Sequence, residues 1–592
     1  KWTTATDIGS NGVLDNSAFG NSSDWKMFFQ TIDTLLTGLE ANKFIVKFSA
    51  TTGERIMVDN FTYEITTEAP DSTTYTGTGN WANGSNWSNG MPGENTNVTI
   101  EGFVTVDDIY TCNNFTIAPT GRVTIPETVN QQKGLWIKGD FLIRSDATGA
   151  GSFIGIYDQD LNWNYEVQGT TTVERYISGA SYAWHLISSP VSNQAIAGDW
   201  IPTSTGYDFY AWNEPTQTWL NQKVSANNIT HFIPCKGYLV AYEETGATKT
   251  FTGTLNDGAQ TLGLTVTGAT SYYGSNLAGN PYPSSIDWKG NNNAIDKSKL
   301  VGYNASEGVK HYIWNDASGN YGVYSDANAG DAGTNGANRY IAPMQGFFVS
   351  AASNGSFLIN DSARVHSSQA WLKSGNNYEF RLCVNAPQGY GSDELLLEFG
   401  HNVSVGSAEK WFSFVPTAPS IYSPIEDKKF SIRYLSIQDE TLTIPVSFIA
   451  GVDGTYTLTA NFASSTYSAI KLEDKITGKV HDLLLTPEYS FSANKSDISE
   501  RFLLHFTVTY GIENLEENAD IQIYSYGNSI YLNNNTDSET LVSVYNITGR
   551  QIYQDRVGAG SQHTFTINAP TGLYIVKALT GKSITSRKVF IW

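Results

Sequence analysis

The sequence predicts an all-β chain divided among several domains, and three observations carry that reading. Apolar and polar residues alternate over short runs such as Lys43 to Phe48, Thr455 to Ala460 and Leu541 to Tyr545, which is the period of a half-buried strand. Gly, Asn, Asp and Ser turns separate these runs at close spacing. At 592 residues, and with about 100 to 200 residues per domain, the chain is too long for a single core. The one window with helical character, Trp25 to Leu39, reads equally well as a pair of strands.

Composition narrows the function classes. Apolar residues make up 40% of the chain, aromatics 13% and charged residues 16%, which excludes bulk disorder. With 36 basic against 57 acidic residues the net charge is −21, a field that repels phosphate and excludes nucleic acid as a partner. No run of apolar residues approaches the 18 or so that a transmembrane helix needs. Lys1 is not followed by a charged-then-apolar leader and reads as a processing point or the edge of a longer protein. Cys112, Cys235 and Cys383 lack disulfide-framework or zinc spacing and read as small core residues.

Residues 1–70 close on Arg55-Ile56-Met57-Val58-Asp59-Asn60-Phe61-Thr62-Tyr63. This resembles the last strands of the jelly-roll modules of secreted carbohydrate-active proteins, which implies the C-terminal part of such a module. In 71–178 short apolar pairs recur: Ile100, Ile117, Ile137 and Ile154, with Val106, Ile125 and Ile143 between them. A repeat of about 18 residues with two short strands per turn predicts a β-solenoid, whose coils bury their apolar pairs only by stacking. The segment from Trp81 to Trp87 is expected to cap its open edge.

Within 179–370 one segment is written twice. Trp184-His185-Leu186-Ile187-Ser188-Ser189-Pro190, Asp199-Trp200, Phe209-Tyr210-Ala211-Trp212-Asn213-Glu214 and Phe232-Ile233-Pro234-Cys235-Lys236-Gly237-Tyr238-Leu239-Val240 return as Gly274-Ser275-Asn276-Leu277-Ala278-Gly279-Asn280-Pro281, Asp287-Trp288, His311-Tyr312-Ile313-Trp314-Asn315-Asp316 and Ile341-Ala342-Pro343-Met344-Gln345-Gly346-Phe347-Phe348-Val349. The growing offset places insertions in the second copy, around Asn291 to Gly308 and Ser325 to Arg339. Loops carried by one copy only are where function tends to sit. The second of them is rich in oxygen ligands, and Asp326, Asn328 and Asp331 are the candidates for calcium, although no bidentate Glu closes the loop as in an EF-hand. Otherwise no cofactor is expected. Trp212, Trp219, Trp288 and Trp314 could stack on sugar rings, but the repetition of Trp212 at Trp314 and of Trp200 at Trp288 favours duplicated core positions. His185, His231, His311 and His366 could converge in space; without paired spacing they read as structural. No catalytic motif is found, and no residue is assigned a catalytic role.

Residues 371–510 read as a β-sandwich, with strands at Tyr378 to Val384, Glu394 to Phe399, Leu442 to Phe448, Tyr456 to Ala460 and Phe502 to Val508. The run from Ile470 to Lys479, followed by Tyr489-Ser490-Phe491 and Arg501-Phe502, resembles the sandwich that precedes the sorting domain in surface proteins of the Bacteroidetes.

Residues 511–592 carry the most specific resemblance. Asn528 to Leu532, Val542-Ser543-Val544-Tyr545-Asn546-Ile547-Thr548-Gly549-Arg550-Gln551-Ile552, Pro570-Thr571-Gly572-Leu573-Tyr574-Ile575-Val576-Lys577 and Arg587-Lys588-Val589-Phe590-Ile591 are similar to the type A C-terminal sorting domain of the type IX secretion system. Gly549 and Gly572 suit tight turns. Tyr574, Val576 and Ala578 make one strand face, and Leu573, Ile575 and Leu579 the other, as in a small sandwich. The resemblance implies a secreted, cell-surface protein that passes the periplasm and the outer membrane through the type IX translocon. It also implies an outer-membrane shuttle barrel that grips the tail, and a sortase-like peptidase that releases the cargo or joins it to surface lipopolysaccharide. Gly549, Arg550, Gly572, Tyr574 and Lys588 are the export-signal residues on this reading, and Gly511 to Asn518 the cleavable linker. Two functions follow: a non-enzymatic adhesin or glycan-binding stalk, or the C-terminal accessory region of a larger secreted hydrolase.

Overall fold

The computed structural model describes residues 3–7, 26–29, 69–126, 134–155, 165–268 except 204, 274–367 except 291–293, 379–436 except 402–404, 441–508 except 463–466, and 520–591 except 527, 571 and 582. The chain is a multi-domain, all-β protein, and the helices among the described residues are single 3₁₀ turns. It falls into two units, Lys1–Glu68 and Ala69–Trp592. In the first, strands Thr3–Asp7 and Lys26–Phe29 pair in parallel, so the described part of the ambiguous Trp25 to Leu39 window is extended. The run from Arg55 to Tyr63, and with it the jelly-roll reading, lies outside the described residues, as does Lys43 to Phe48.

The second unit opens with parallel strands stacked in three sheets. One contains Ser72–Tyr75, Asn97–Ile100, Phe115–Ile117, Phe141–Ile143 and Thr171–Ile177; the next Thr78–Asn80, Phe103–Thr105, Arg122–Ile125 and Ser152–Gly155; the third Ile109–Cys112, Gly134–Ile137 and Tyr165–Val167. The three coils that begin at Asn97, Phe115 and Phe141 therefore each place a short strand in all three sheets, rather than two strands per turn. The buried ladder of the first sheet runs Ile100, Ile117, Ile143, Val173. The expected ladder is correct for its first pair only: Ile137 lies in the third sheet opposite Cys112, and Ile154 in the second opposite Thr124. The chain between Ile125 and Gly134, and the hairpin of Ser145–Asp146 with Gly149–Ala150, lengthen successive coils, so no constant period can follow the register.

A polar ladder marks one corner of these coils. Asn97 Oδ1 accepts from Asn114 Nδ2 at 2.9 Å, Asn114 Oδ1 from the Asp140 amide at 2.8 Å, and Asp140 Oδ1 from the Thr170 amide at 2.8 Å. The first edge is covered. Asn86 and Ser88 pair antiparallel with Thr76 and Thr74, while Trp81 and Trp87 are buried, the indole of Trp87 donating to the Trp81 carbonyl. The far edge is closed by Ala247–Thr252, antiparallel to Thr171–Ile177.

The two written copies carry the same sheet. His185–Ile187, Tyr238–Tyr242, Tyr207–Asn213 and Thr218–Asn221 lie side by side in that order; Ser275–Gly279, Gly346–Ser350, Lys310–Asn315 and Asn320–Ser325 repeat it. Trp212 faces Trp219 across one hairpin, and Trp314 faces Tyr321 across the other. The copies join through a reciprocal backbone contact. Ser188 N donates to Met344 O and Gly279 N to Cys235 O, Ile187 bridges Gln345, and Ala278 bridges Lys236. Cys235 and Met344 both hold left-handed backbone, φ 62° and 57°, so the strain is duplicated along with the strands.

At this joint a glycine from each copy touches the other. A β-carbon on Gly237 would lie 2.5 Å from Ala278 O, and one on Gly346 would lie 3.0 Å from the backbone of Leu186 and Ile187. Gly237→Ala is expected to lower stability by about 1–3 kcal/mol, as overpacking does, with Gly346→Ala milder. Thermal melts of the two variants check the order.

The sandwich that follows is one continuous ladder folded on itself, from Lys479–Asp482 at one end to Glu488–Ala493 at the other. Its two halves meet through Phe380 against Phe506 (5.0 Å) and Phe448 against Tyr456 (4.9 Å). The last residues form two antiparallel sheets around a core of their own, which includes Ile523, Leu532, Val544 and Val576.

Candidate functional site: the C-terminal sandwich and the module joints

The four-stranded sheet of the tail runs Gln551–Val557, Thr540–Asn546, Gly572–Thr580, Ser583–Ile591. Its register brings the candidate signal residues to one end. Asn546 pairs with Tyr574, Tyr574 with Val589, Ile575 with Lys588, and Gly572 with Ile591, while Gly549 and Arg550 form the turn beyond Asn546. That turn is organised by a residue that the sequence reading passed over. Asn546 Oδ1 accepts from the amides of Thr548 (3.1 Å) and Arg550 (2.9 Å), and the Asn546 carbonyl accepts from Gly549 N at 3.0 Å. An Asn that opens a tight turn ending in Gly is the available signal.

Gly549 is left-handed, φ 81°, with open space where a β-carbon would stand. Gly572 differs from the expectation. It begins a strand, its φ is outside the left-handed region, and the nearest atom to an added β-carbon is Pro570 O at 3.9 Å; it is not a turn glycine. Tyr574 is buried, and its hydroxyl donates to Pro570 O at 2.6 Å, fixing the approach to the strand. Arg550 and Lys588 are exposed. Along Gly572–Thr580, Tyr574, Val576 and Ala578 are buried and Leu573 and Leu579 exposed. Exposed Ile584 stands opposite Leu579, so the outer face of the sheet is partly apolar. The linker from Gly511 to Asn518 lies outside the described residues.

The other candidates serve the joints between modules. The four histidines do not converge. His366 meets Thr124 Oγ1 and Ser152 Oγ, both at 2.8 Å, on the solenoid; burial beside Arg122 and Arg364 lowers it to about 4. His311 is buried against Trp288 and Tyr324 and lowered by that burial to about 3. His185 bonds the Ser178 carbonyl, and His231 is exposed. Trp200 and Trp288 are buried, each indole donating to a backbone carbonyl. Trp212 and Trp314 belong to an apolar cluster shared by both copies and the sandwich, where Phe414 stacks on Trp314 at 3.9 Å and Trp411 on Tyr312 at 4.2 Å.

The insertion that carries Asp326, Asn328 and Asp331 lies against the sandwich. Asp326 pairs with Lys297, Asp331 with Arg339, and Asn328 Oδ1 accepts from Tyr434 Oη at 2.8 Å. Asn335 donates to Asp393, whose carboxylate is buried with Lys410 at 2.6 Å. Arg381 holds the Ala332 and Gly333 carbonyls. Four of the residues in the quoted sandwich motif, Asp474, Tyr489, Phe491 and Arg501, also meet. Arg501 binds both oxygens of Asp474 (3.1 and 2.8 Å), Tyr489 Oη donates to Asp474 at 3.0 Å, and the guanidinium lies over Phe491.

Residues 74–506 match the family model described as "Domain of unknown function (DUF8693)", and residues 526–592 match that of the "Secretion system C-terminal sorting domain". The minor fimbrium subunit Mfa5 of Porphyromonas gingivalis is 25% identical over 371 residues, covering 58% of this chain and 29% of that protein; the chain thus spans under a third of that relative's length. Two solved chains align over 71% of this one: "Biofilm associated protein - BSP domain" (10% identity, 92% of that chain, TM-score 0.12) and "Ca2+-stabilized adhesin helps an Antarctic bacterium reach out and bind ice" (11%, 93%, TM-score 0.10). Scores that low carry no argument about fold or function.

Proposed function

Because the chain belongs to the DUF8693 family through residues 74–506 and ends in a secretion system C-terminal sorting domain, which makes it type IX cargo delivered to the cell surface in the Bacteroidetes, we propose that it is a non-enzymatic adhesin or structural stalk. In this reading 1–70 is the end of a jelly-roll-like module, 71–178 a solenoid and 179–370 the duplicated module. Residues 371–510 form the sandwich, and 511–592 the detachable address. One observation carries the reading: His366, Trp212, Trp314 and the acidic loop, which could have built a catalytic centre, instead hold solenoid, copies and sandwich together. Arg364 ties Phe153 O and Gly155 O of the solenoid to the second copy, and the shared aromatic cluster ties both copies to the sandwich. Such joints suit a body that transmits force. The fimbrial relative supports the same reading.

The export machinery would hold the tail through the shuttle barrel, and the sortase-like peptidase would cut before Asp520 and release the cargo or attach it to lipopolysaccharide; glycans are the proposed ligands. Deleting 520–592 is expected to leave folded protein in the periplasm and none at the surface, read by surface labelling and fractionation. Surface labelling equal to the intact protein refutes it. Export intact but cell or glycan adhesion unchanged on deleting the gene favours the alternative, an accessory region of a secreted hydrolase.

A further inference from the structure

The joint between the second copy's insertion and the sandwich holds more buried carboxylates than guanidinium groups. Strands Glu379–Asn385 and Ser392–Phe399 pair antiparallel, with Glu379 directly opposite Glu398. Residues so placed have β-carbons about 4.5–5.5 Å apart, and like charges there repel. Both side chains are buried, 5% and 1% exposed. One oxygen of each is engaged: Glu379 Oε2 accepts from Arg381 at 3.1 Å, and Glu398 Oε2 accepts from Ala329 N at 3.1 Å with His401 at 3.3 Å. Glu379 Oε1 and Glu398 Oε1 have no hydrogen-bond partner. Arg381 is shared with Glu394 at 3.4 Å, so one guanidinium serves two carboxylates while Glu398 stands opposite the first of them. A buried polar atom without a protein partner is satisfied by water, a ligand or an ion. The insertion brings a third such atom. Asn328 Nδ2 is buried and unpartnered, on a residue bonded to Tyr434, which is Glu398's neighbour in register.

We propose that a hard divalent cation, calcium by its ligand set, binds between Glu379 Oε1 and Glu398 Oε1 and locks the insertion to the sandwich. Turning the Asn328 amide over lets its oxygen face the ion and its NH₂ donate to Tyr434 Oη, giving three protein oxygens that water completes toward the six to eight calcium takes. A charge of two balances the excess of the three carboxylates over Arg381. Asp326 and Asp331, the loop's own acids, are already paired with Lys297 and Arg339. The site is therefore one residue type and one element away from where the sequence pointed. It stands independently of the adhesin reading.

The rival occupant is a proton shared by the two carboxylates, since burial, with Glu398 and Glu394 nearby, raises the Glu379 carboxyl above its ordinary range. The test uses the full chain. About 1 mM calcium against a chelator is expected to raise the melting midpoint by about 5 °C or more, and terbium to give tyrosine-sensitised emission that calcium displaces. Glu379→Gln and Glu398→Gln should lose both responses, and Asp331→Asn should keep both. Retention of the calcium response in Glu398→Gln, or its loss in Asp331→Asn, overturns the site. No metal response, with the midpoint rising as pH falls from about 7 to about 5 in the intact chain and not in Glu398→Gln, assigns the proton instead.

Discussion

Arg501→Met is expected to open the sandwich locally while the rest of the chain stays folded. Arg501 and Asp474 are 3% and 0% exposed and 2.8 Å apart, so removing the guanidinium strands a buried carboxylate. Breaking such a pair from one side costs about 3–5 kcal/mol, which is on the order of 10²- to 10⁴-fold faster amide exchange where local opening governs it. Hydrogen exchange should show this in Tyr467–Asp474 and Phe502–Val508, the strands that pair across the site, with the solenoid strands unchanged. Removing both charges, Asp474→Asn with Arg501→Met, should recover part of the loss. Exchange equal to that of the intact protein in those strands defeats the assignment.

The same pair sets an acid limit. Burial raises the Asp474 carboxyl, but hydrogen bonds and charge from Arg501, with Tyr489, outweigh it and hold the group below its ordinary value. A carboxyl depressed in the folded state stabilises above its unfolded value of about 3.9, and that contribution is lost as pH falls from there through the folded value. In Arg501→Met the depression is gone. The gap between variant and intact protein should therefore narrow below about pH 4, as pH-dependent denaturation would record.

The contrast between these residues and others shows what could be read in advance. Strands in the sandwich and tail were legible because one face is buried and the other wet: Tyr574, Val576 and Ala578 against Leu573 and Leu579 follow the period of two. The stacking of 71–178 was legible as a kind of fold but not as a register. Coil length varies with what is inserted at the corners, and the residues that fix the stack, Asn97, Asn114 and Asp140, are ordinary turn residues in sequence. The duplication was legible because two copies of one sequence must solve the same packing problem. Gly237 and Gly346 were visible as matching letters, but their reciprocal contact depends on how the copies face each other. Partner identity is the part sequence conceals most: Asp474 and Arg501 are 27 residues apart, and the partner of Asp326, Lys297, lies on another loop. Oxygen-rich composition points to a loop, and which of its oxygens are already engaged depends on partners that the sequence does not display.

The tail should transfer export, and its turn should matter more than its strand glycine. Its apolar core is built from residues between Ile521 and Ile591, so residues 511–592 have the means to fold when fused to an unrelated reporter, and one export machine serving many cargoes must read a module that is independent of the cargo. The reporter is expected at the surface. Within the tail, Asn546→Ala removes the acceptor of the Thr548 and Arg550 amides. Gly549→Val places a branched side chain at φ 81°, a strain of about 1–3 kcal/mol. Both distort the turn that carries Arg550, and surface display should fall about 5- to 100-fold for a change of that size. Gly572→Val meets neither a left-handed backbone nor a close neighbour, and valine suits a strand; display should stay within about twofold, the scatter of a neutral surface substitution. Loss of display in Gly572→Val with the tail still folded would move the recognised surface from the turn to the strand itself. A folded reporter held in the periplasm despite an intact tail would show that the address needs more of the chain than 511–592.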